Sequence, residues 1–203
     1  HSGANIDSFT SLALQPDGRV LLGDAFTFIN GTNRYGKIRL NVDGSSDGSF
    51  VSDTFPSDLG TLYTNFMSGG ALVAPPVRQS DGKIIFGGGE VHIECGENCA
   101  YYTWPFLNRF NANGSFDTNF QPITPYFSFS YESVQALALQ PDGKIIVGGY
   151  FNTLGTNLSG LARLNTNGTL DASFAPATGA GAAISSVAVQ PDGKVLIAGY
   201  FRN

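Results

Sequence analysis

The stretch Leu137-Ala-Leu-Gln-Pro-Asp-Gly-Lys-Ile-Ile-Val-Gly-Gly-Tyr-Phe151 decides the fold. It opens on a short apolar segment, turns on Pro-Asp-Gly, and returns in a run that is apolar at consecutive positions. Proline presets φ and Asp-Gly suits a tight reversal, so the reading is a hairpin. A return strand without polar alternation fits burial on both faces, as for a strand held between packed sheets. Leu161-Ala-Arg-Leu-Asn-Thr-Asn-Gly168 then adds a third strand and a second turn, and runs on to Asp171 and Phe174.

The pattern recurs along the chain. Ser11-Leu-Ala-Leu-Gln-Pro-Asp-Gly-Arg-Val, Gln79-Ser-Asp-Gly-Lys-Ile-Ile and Val187-Ala-Val-Gln-Pro-Asp-Gly-Lys-Val-Leu place the turn aspartates at Asp17, Asp81, Asp142 and Asp192, at intervals of 64, 61 and 50 residues. The second signature recurs as Arg39-Leu-Asn-Val-Asp-Gly, Arg109-Phe-Asn-Ala-Asn-Gly and Arg163-Leu-Asn-Thr-Asn-Gly. Repetition at this length marks units that bury their apolar faces only against one another. No apolar pattern at i, i+3, i+4 and i+7 persists for three helical turns, so the fold class is all-β. Small twisted sheets of this repeat length stack radially, which predicts β-propeller blades: three complete repeats plus the start of a fourth, a segment of a larger propeller.

The two signatures in order closely resemble the bacterial delta-60 repeat, a propeller blade of large secreted or surface proteins. The resemblance covers residues 11–50, 77–120, 135–174 and 186–203. It implies a β-propeller in an extracellular or cell-surface protein, and says little of activity. The organisation that follows is an inter-repeat linker at 1–10, blade 1 at 11–50 and a connector at 51–76. Blade 2 occupies 77–120 with an inserted loop at 91–106, and a second connector spans 121–134. Blade 3 covers 135–174, and blade 4 starts at 186–203.

Composition agrees with this class. Glycine is 26 of 203 residues and charged residues are only 13%, which suits glycine-punctuated sheets better than helices. The net charge of −5 argues against a nucleic-acid partner, which needs a basic face, and against an anionic membrane surface. No run approaches the ~18 apolar residues of a membrane-spanning helix, so membrane insertion is not expected.

Several motifs could carry chemistry. Arg39, Arg109 and Arg163 precede Asp47, Asp117 and Asp171 by eight residues, and each Asp precedes a Phe by three. A catalytic charge pair would occur once, so recurrence favours a structural salt bridge with Phe50, Phe120 and Phe174 as core plugs. The loops 41–47, 111–117 and 165–171 offer oxygens at positions 1, 3 and 7, the outline of a calcium loop, but lack the bidentate Glu. A plain Asx turn explains the same residues, and no cofactor is expected.

The insertion in repeat two collects the residues that do not repeat. Cys95 and Cys99 read as a local disulfide; a metal reading would recruit His92, with Glu94 as a further candidate, but two cysteines with one histidine are an incomplete set without a fourth ligand. Tyr101, Tyr102 and Trp104, with Tyr126 and Tyr131 in the following connector, could form a stacking platform for a protein or glycan ligand. The alternative is that they cover a sheet edge. For hydrolysis the carboxylates are Glu90, Glu94 and Glu132, but the chain has only two histidines and no Gly-x-Ser-x-Gly elbow, so no enzyme is expected. Asn30, Asn113, Asn157 and Asn167 head glycosylation triplets, two of which coincide with the repeat's own turn.

The expected function is an extracellular scaffold or adhesion module without catalysis, whose partners are a protein or glycan ligand or further repeats of the same parent protein. The alternatives are a lectin-like carbohydrate-binding module and a glycoside-hydrolase-like propeller.

Overall fold

A computed structural model describes residues 11–23, 28–29, 32–33, 37–50, 72–95, 99–122, 132–152, 159–176 and 183–200. Every regular element among them is a strand. Blade 1 is a sheet of β1 (Ser11–Leu14), β2 (Val20–Gly23) and β5 (Lys37–Leu40), with β2 in the middle. A two-stranded pair, β3 (Phe28–Ile29) and β4 (Thr32–Asn33), lies between β2 and β5 in the chain. Blade 2 comprises β6 (Leu72–Arg78), β7 (Ile84–Cys95) and β8 (Cys99–Phe110). Blade 3 comprises β9 (Ser133–Leu139), β10 (Ile145–Asn152) and β11 (Ser159–Leu164). Blade 4 has two described strands, β12 (Ala183–Val189) and β13 (Val195–Tyr200). All pairings are antiparallel.

The first hairpin of each blade closes the same way. Gly18 donates to the Gln15 carbonyl while Gln15 donates to the Arg19 carbonyl, and the equivalent bonds recur at Gln79, Gln140 and Gln190. The glycine takes positive φ, +80° at Gly18 and +83° at Gly143. This is a three-residue loop with a bulge, a geometry in which the last loop residue must be left-handed.

The middle strands carry the core. Ile84, Ile85, Ile145 and Ile146 have no solvent exposure, which explains why their sequence does not alternate. Leu21 of blade 1 packs with Ile84, Phe86 and Phe110 of blade 2. Ile85 packs with Val134, Leu137 and Ile145 of blade 3, and Ile146 with Ile184 of blade 4. Each blade therefore uses its neighbour to bury its middle strand. The blades approach closely where the middle strand has glycine: a methyl on Gly148 would sit 2.7 Å from Ile184 Cγ2, and one on Gly87 2.7 Å from Val134 Cγ1.

Two boundaries differ from the sequence expectation. The segment 91–106, expected as an inserted loop, is strand at its described residues, 91–95 and 99–106: β7 and β8 pair continuously from Ile84↔Phe110 to Cys95↔Cys99. The insertion lengthens the blade's second hairpin instead of interrupting it. β6 begins at Leu72, inside the stretch read as a connector, and its Pro75 and Pro76 fall where the register shifts between Ala74 and Val77. Proline enters a sheet at such bulges, because no ladder bond needs its missing N–H there.

Candidate functional site

The repeated charged residues form one arrangement in blades 1, 2 and 3. The third strand turns back on itself at Asn41–Gly44 and its equivalents, and Asp47, Asp117 and Asp171 return to donate their N–H to the carbonyls of Arg39, Arg109 and Arg163. Each arginine Nε then donates to its aspartate Oδ2 at 2.8 Å. The other oxygen accepts the N–H two residues on, from Ser49, Asn119 or Ser173. A second cation comes from the residue after the Asp-Gly turn: Arg19 at 3.4 Å, Lys83 at 3.0 Å and Lys144 at 2.8 Å. Each guanidinium also lies over a closing phenylalanine, with Cζ 4.8, 4.6 and 4.7 Å from the rings of Phe50, Phe120 and Phe174.

The arginines reach across blades as well. Arg39 donates to the Ala112 carbonyl of blade 2 at 2.9 Å, and Arg109 to the Thr166 carbonyl of blade 3 and to Gln79 Oε1. In blade 3, Arg163 bonds Ser173 Oγ of its own closing segment. The second cation and the cross-blade carbonyl were missed in the sequence. The cation had a signal, the Lys or Arg that follows the Asp-Gly of each blade's first hairpin; the carbonyl had none.

These contacts set the acidity of the carboxylates. Burial works to raise the Asp47 carboxyl, but hydrogen bonds from Ser49 and the Arg39 guanidinium overcome it and bring it down to about 2. Burial likewise opposes, and the hydrogen bonds from Lys83, Asn119 and Arg109 outweigh it, so Asp117 is also lowered. Asp171 is held well below the usual carboxylate range, first by Lys144 and then by Ser173. A carboxylate so held is a poor general acid or base near neutral pH.

The turn aspartates do local work. Asp17, Asp81, Asp142 and Asp192 each accept the backbone N–H two residues on, at 3.0–3.1 Å. In the loops outlined as calcium sites, Asp43 accepts both the N–H and the hydroxyl of Ser45, and Asn113 and Asn167 do the same with Ser115 and Thr169. The position-7 aspartates face the arginines. Among the described residues no three of His, Cys, Asp and Glu gather at metal-ligating distance.

The non-repeating residues lie on the long hairpin of blade 2. Its register sets Trp104 opposite Glu90, Tyr102 opposite His92, and Cys99 opposite Cys95. Alternate positions of a strand share a face, so positions 90, 92, 102 and 104 fall together and position 101 falls on the other face with 91 and 93. Positions 102 and 104 thus share a face and position 101 lies on the other, and all three sit on regular strand where an irregular segment was expected. Positions 90 and 94 are four residues apart on one strand, about 13 Å along it. Glu132 is buried at the start of β9. Tyr126 and Tyr131, and the glycosylation triplets' Asn30 and Asn157, lie outside the described residues.

Small antiparallel sheets in sequence, each burying its middle strand on the next, define the chain as an all-β segment of β-propeller blades. Residues 15–50, 140–174 and 190–203 match the family model described as Domain of unknown function (DUF5122) beta-propeller. Blade 2, with Ser80 in place of proline and its extended hairpin, falls outside the matched stretches. The structure is similar to one described as the extracellular domain of the one component system BT4673 from B. thetaiotaomicron, at 13% identity and a TM-score of 0.48. That likeness covers 96% of this chain and 20% of the other, so this chain spans a fifth of its length. No curated protein matches the chain.

Proposed function

We propose that this chain is a scaffold and adhesion module of an extracellular or cell-surface bacterial protein, contacting a protein or glycan ligand through the hairpin of blade 2 and catalysing no reaction. The observation that carries the reading is the division of labour among the polar residues. The recurring Asp and cationic groups bond one another in every complete blade, and chemically varied residues are collected on the long hairpin by which blade 2 departs from the repeat. Loops and extensions mounted on a rigid repeat scaffold are where binding residues accumulate. The extracellular assignment rests on the delta-60 resemblance and on the Cys95–Cys99 pairing in register, a placement suited to a disulfide. No helix among the described residues is long and apolar enough to cross a membrane.

A second reading, lectin-like carbohydrate binding, is favoured by the alignment of positions 90, 92, 102 and 104, which sets aromatic and hydrogen-bonding residue types side by side. One experiment separates the two. The chain and a Trp104→Ala variant are applied to a glycan array and to immobilised extracellular-matrix and cell-surface proteins. Retention on proteins alone supports the adhesion reading, and retention on glycans that the variant loses supports the lectin reading. Turnover of a glycoside, lost in a single carboxylate variant, would overturn both.

A further inference from the structure

The molecule shows three times what a carboxylate beside an aromatic ring holds. Asp47 with Phe50, Asp117 with Phe120, and Asp171 with Phe174 each grip one arginine, the carboxylate accepting from its Nε at 2.8 Å and the ring lying 4.6–4.8 Å from its Cζ. The long hairpin of blade 2 sets the same two kinds of residue opposite each other at Glu90↔Trp104, and His92↔Tyr102 and Glu94↔Ala100 follow on the same face. Directly opposed residues have Cβ atoms about 4.5–5.5 Å apart, and positions 90 and 94 are about 13 Å apart along the strand. Between Lys83 and Arg109 the sequence has Glu90, Glu94 and Glu97, and neither lysine nor arginine. The hairpin thus repeats the arginine-holding pair and contributes no arginine to it.

Its two faces are unlike. Ile85 and Leu107 pack with blade 3, and methyls on Gly87 and Gly89 would meet Val134 and Ser133 there. The positions that continue this face are Val91, Ile93, Tyr101 and Thr103. The other face begins with Ile84, Phe86, Phe106 and Phe110 and changes character at Glu90, from which polar residues alternate with Val91 and Ile93. Such alternation marks a strand with one packed and one solvated face.

We propose that the face carrying positions 90, 92, 94, 102 and 104 is the docking surface for an arginine-bearing segment of a partner protein. One guanidinium sits between Glu90 and Trp104, and a second basic side chain, four residues on in an extended segment, meets Glu94. The inference rests on the reading of the blade 2 hairpin as the contact surface and names the chemistry of the partner. A carboxylate gives a guanidinium charge-assisted hydrogen bonds, and an indole is the strongest aromatic partner of a cation. Charge complementarity with a chain of net charge −5 favours the same partner and steers its approach. A neutral glycan would use the ring and not the charge.

Trp104 is the chain's single tryptophan, so its emission reads this face directly. The test is a fluorescence titration with a short peptide that has arginine at both ends and three threonines between. The same peptide with glutamine ends and a set of neutral oligosaccharides are titrated beside it. The expected result is a saturable change with the arginine peptide, Kd below about 1 mM, weakened about fivefold or more by Glu90→Gln or Glu94→Gln. Asp192→Asn removes an equal charge from the turn of another blade and should leave the affinity within about twofold. Circular dichroism melts establish that each variant folds. An equal response to both peptides, or an equal loss in Asp192→Asn and Glu90→Gln, overturns the proposal. Binding that appears only in Arg34→Gln would mean that blade 1 fills the pair, and overturns it too. If the arginine peptide gives no response while a glycan or a matrix protein is retained through Trp104, the cationic partner is overturned and the hairpin stands as the contact surface. If nothing binds, both readings fall.

Discussion

Replacing Asp117 with Asn should destabilise the fold far more than removing a surface charge. Asp117 is 3% exposed and holds two cations, Arg109 at 2.8 Å and Lys83 at 3.0 Å. Arg109 is itself buried, so the substitution strands a guanidinium away from water. Breaking a buried pair from one side costs about 3–5 kcal/mol. Arg109 keeps Gln79, the Thr166 carbonyl and the face of Phe120, and Lys83 is exposed enough to be rehydrated, so the low end applies, about 3 kcal/mol. For a chain of this size that corresponds to a fall in Tm of about 6–12 °C, read by circular dichroism melting at pH 7. The double variant Arg109→Met with Asp117→Asn should recover part of the loss, because no charge is then left buried. A loss under about 1 kcal/mol, the range of exposed ion pairs, or a double variant no better than the single one, would refute the reasoning.

Other consequences are equally checkable. A methyl on Gly149 would lie 2.1 Å from the Ser133 carbonyl oxygen, so Gly149→Ala should cost about 1–3 kcal/mol in urea unfolding. Gly44→Ala, with positive φ and nothing within 4 Å, should cost about 1 kcal/mol from backbone strain alone. Asp47, Asp117 and Asp171 all titrate lower in the folded chain than in the unfolded one. Their contribution is therefore complete above the unfolded value near pH 4 and is lost as the pH falls toward about 2, where Asp47 titrates. Urea midpoints measured from pH 7 downward should hold and then drop across that window, and Asp47→Asn should flatten the drop. Cys95 and Cys99 face each other across the hairpin, so the chain's mass under non-reducing conditions should be lower by two hydrogens than after reduction.

The repeats were legible because their turns are chemical necessities. Pro-Asp-Gly and Asn-x-Asn-Gly each fix a reversal with a left-handed glycine, and the strands between them follow from the apolar runs. The arginine and aspartate of each blade could be paired by their constant spacing. The cross-blade bond from Arg39 to Ala112 could not, because it joins residues 73 apart through packing that no local pattern encodes. The long hairpin is a subtler case. Glu90-Val-His-Ile-Glu94 alternates polar and apolar as a strand does, but the glycines at 87–89 and Gly96 beside it read as loop punctuation. Gly87 and Gly89 serve blade packing instead: methyls there would meet Val134 Cγ1 and Ser133 Cβ at 2.7 Å. Pro75 and Pro76 hid β6 in the same way, since a proline pair argues against a strand unless a bulge receives it.

The central claim is that one blade plan recurs along the chain, closed by its third strand and returning Asp in blades 1 to 3. Amide hydrogen exchange tests it directly. The account predicts slow exchange at successive amides of β7 and β10, which are bonded on both sides. Fast exchange through β7 or β10 would contradict it.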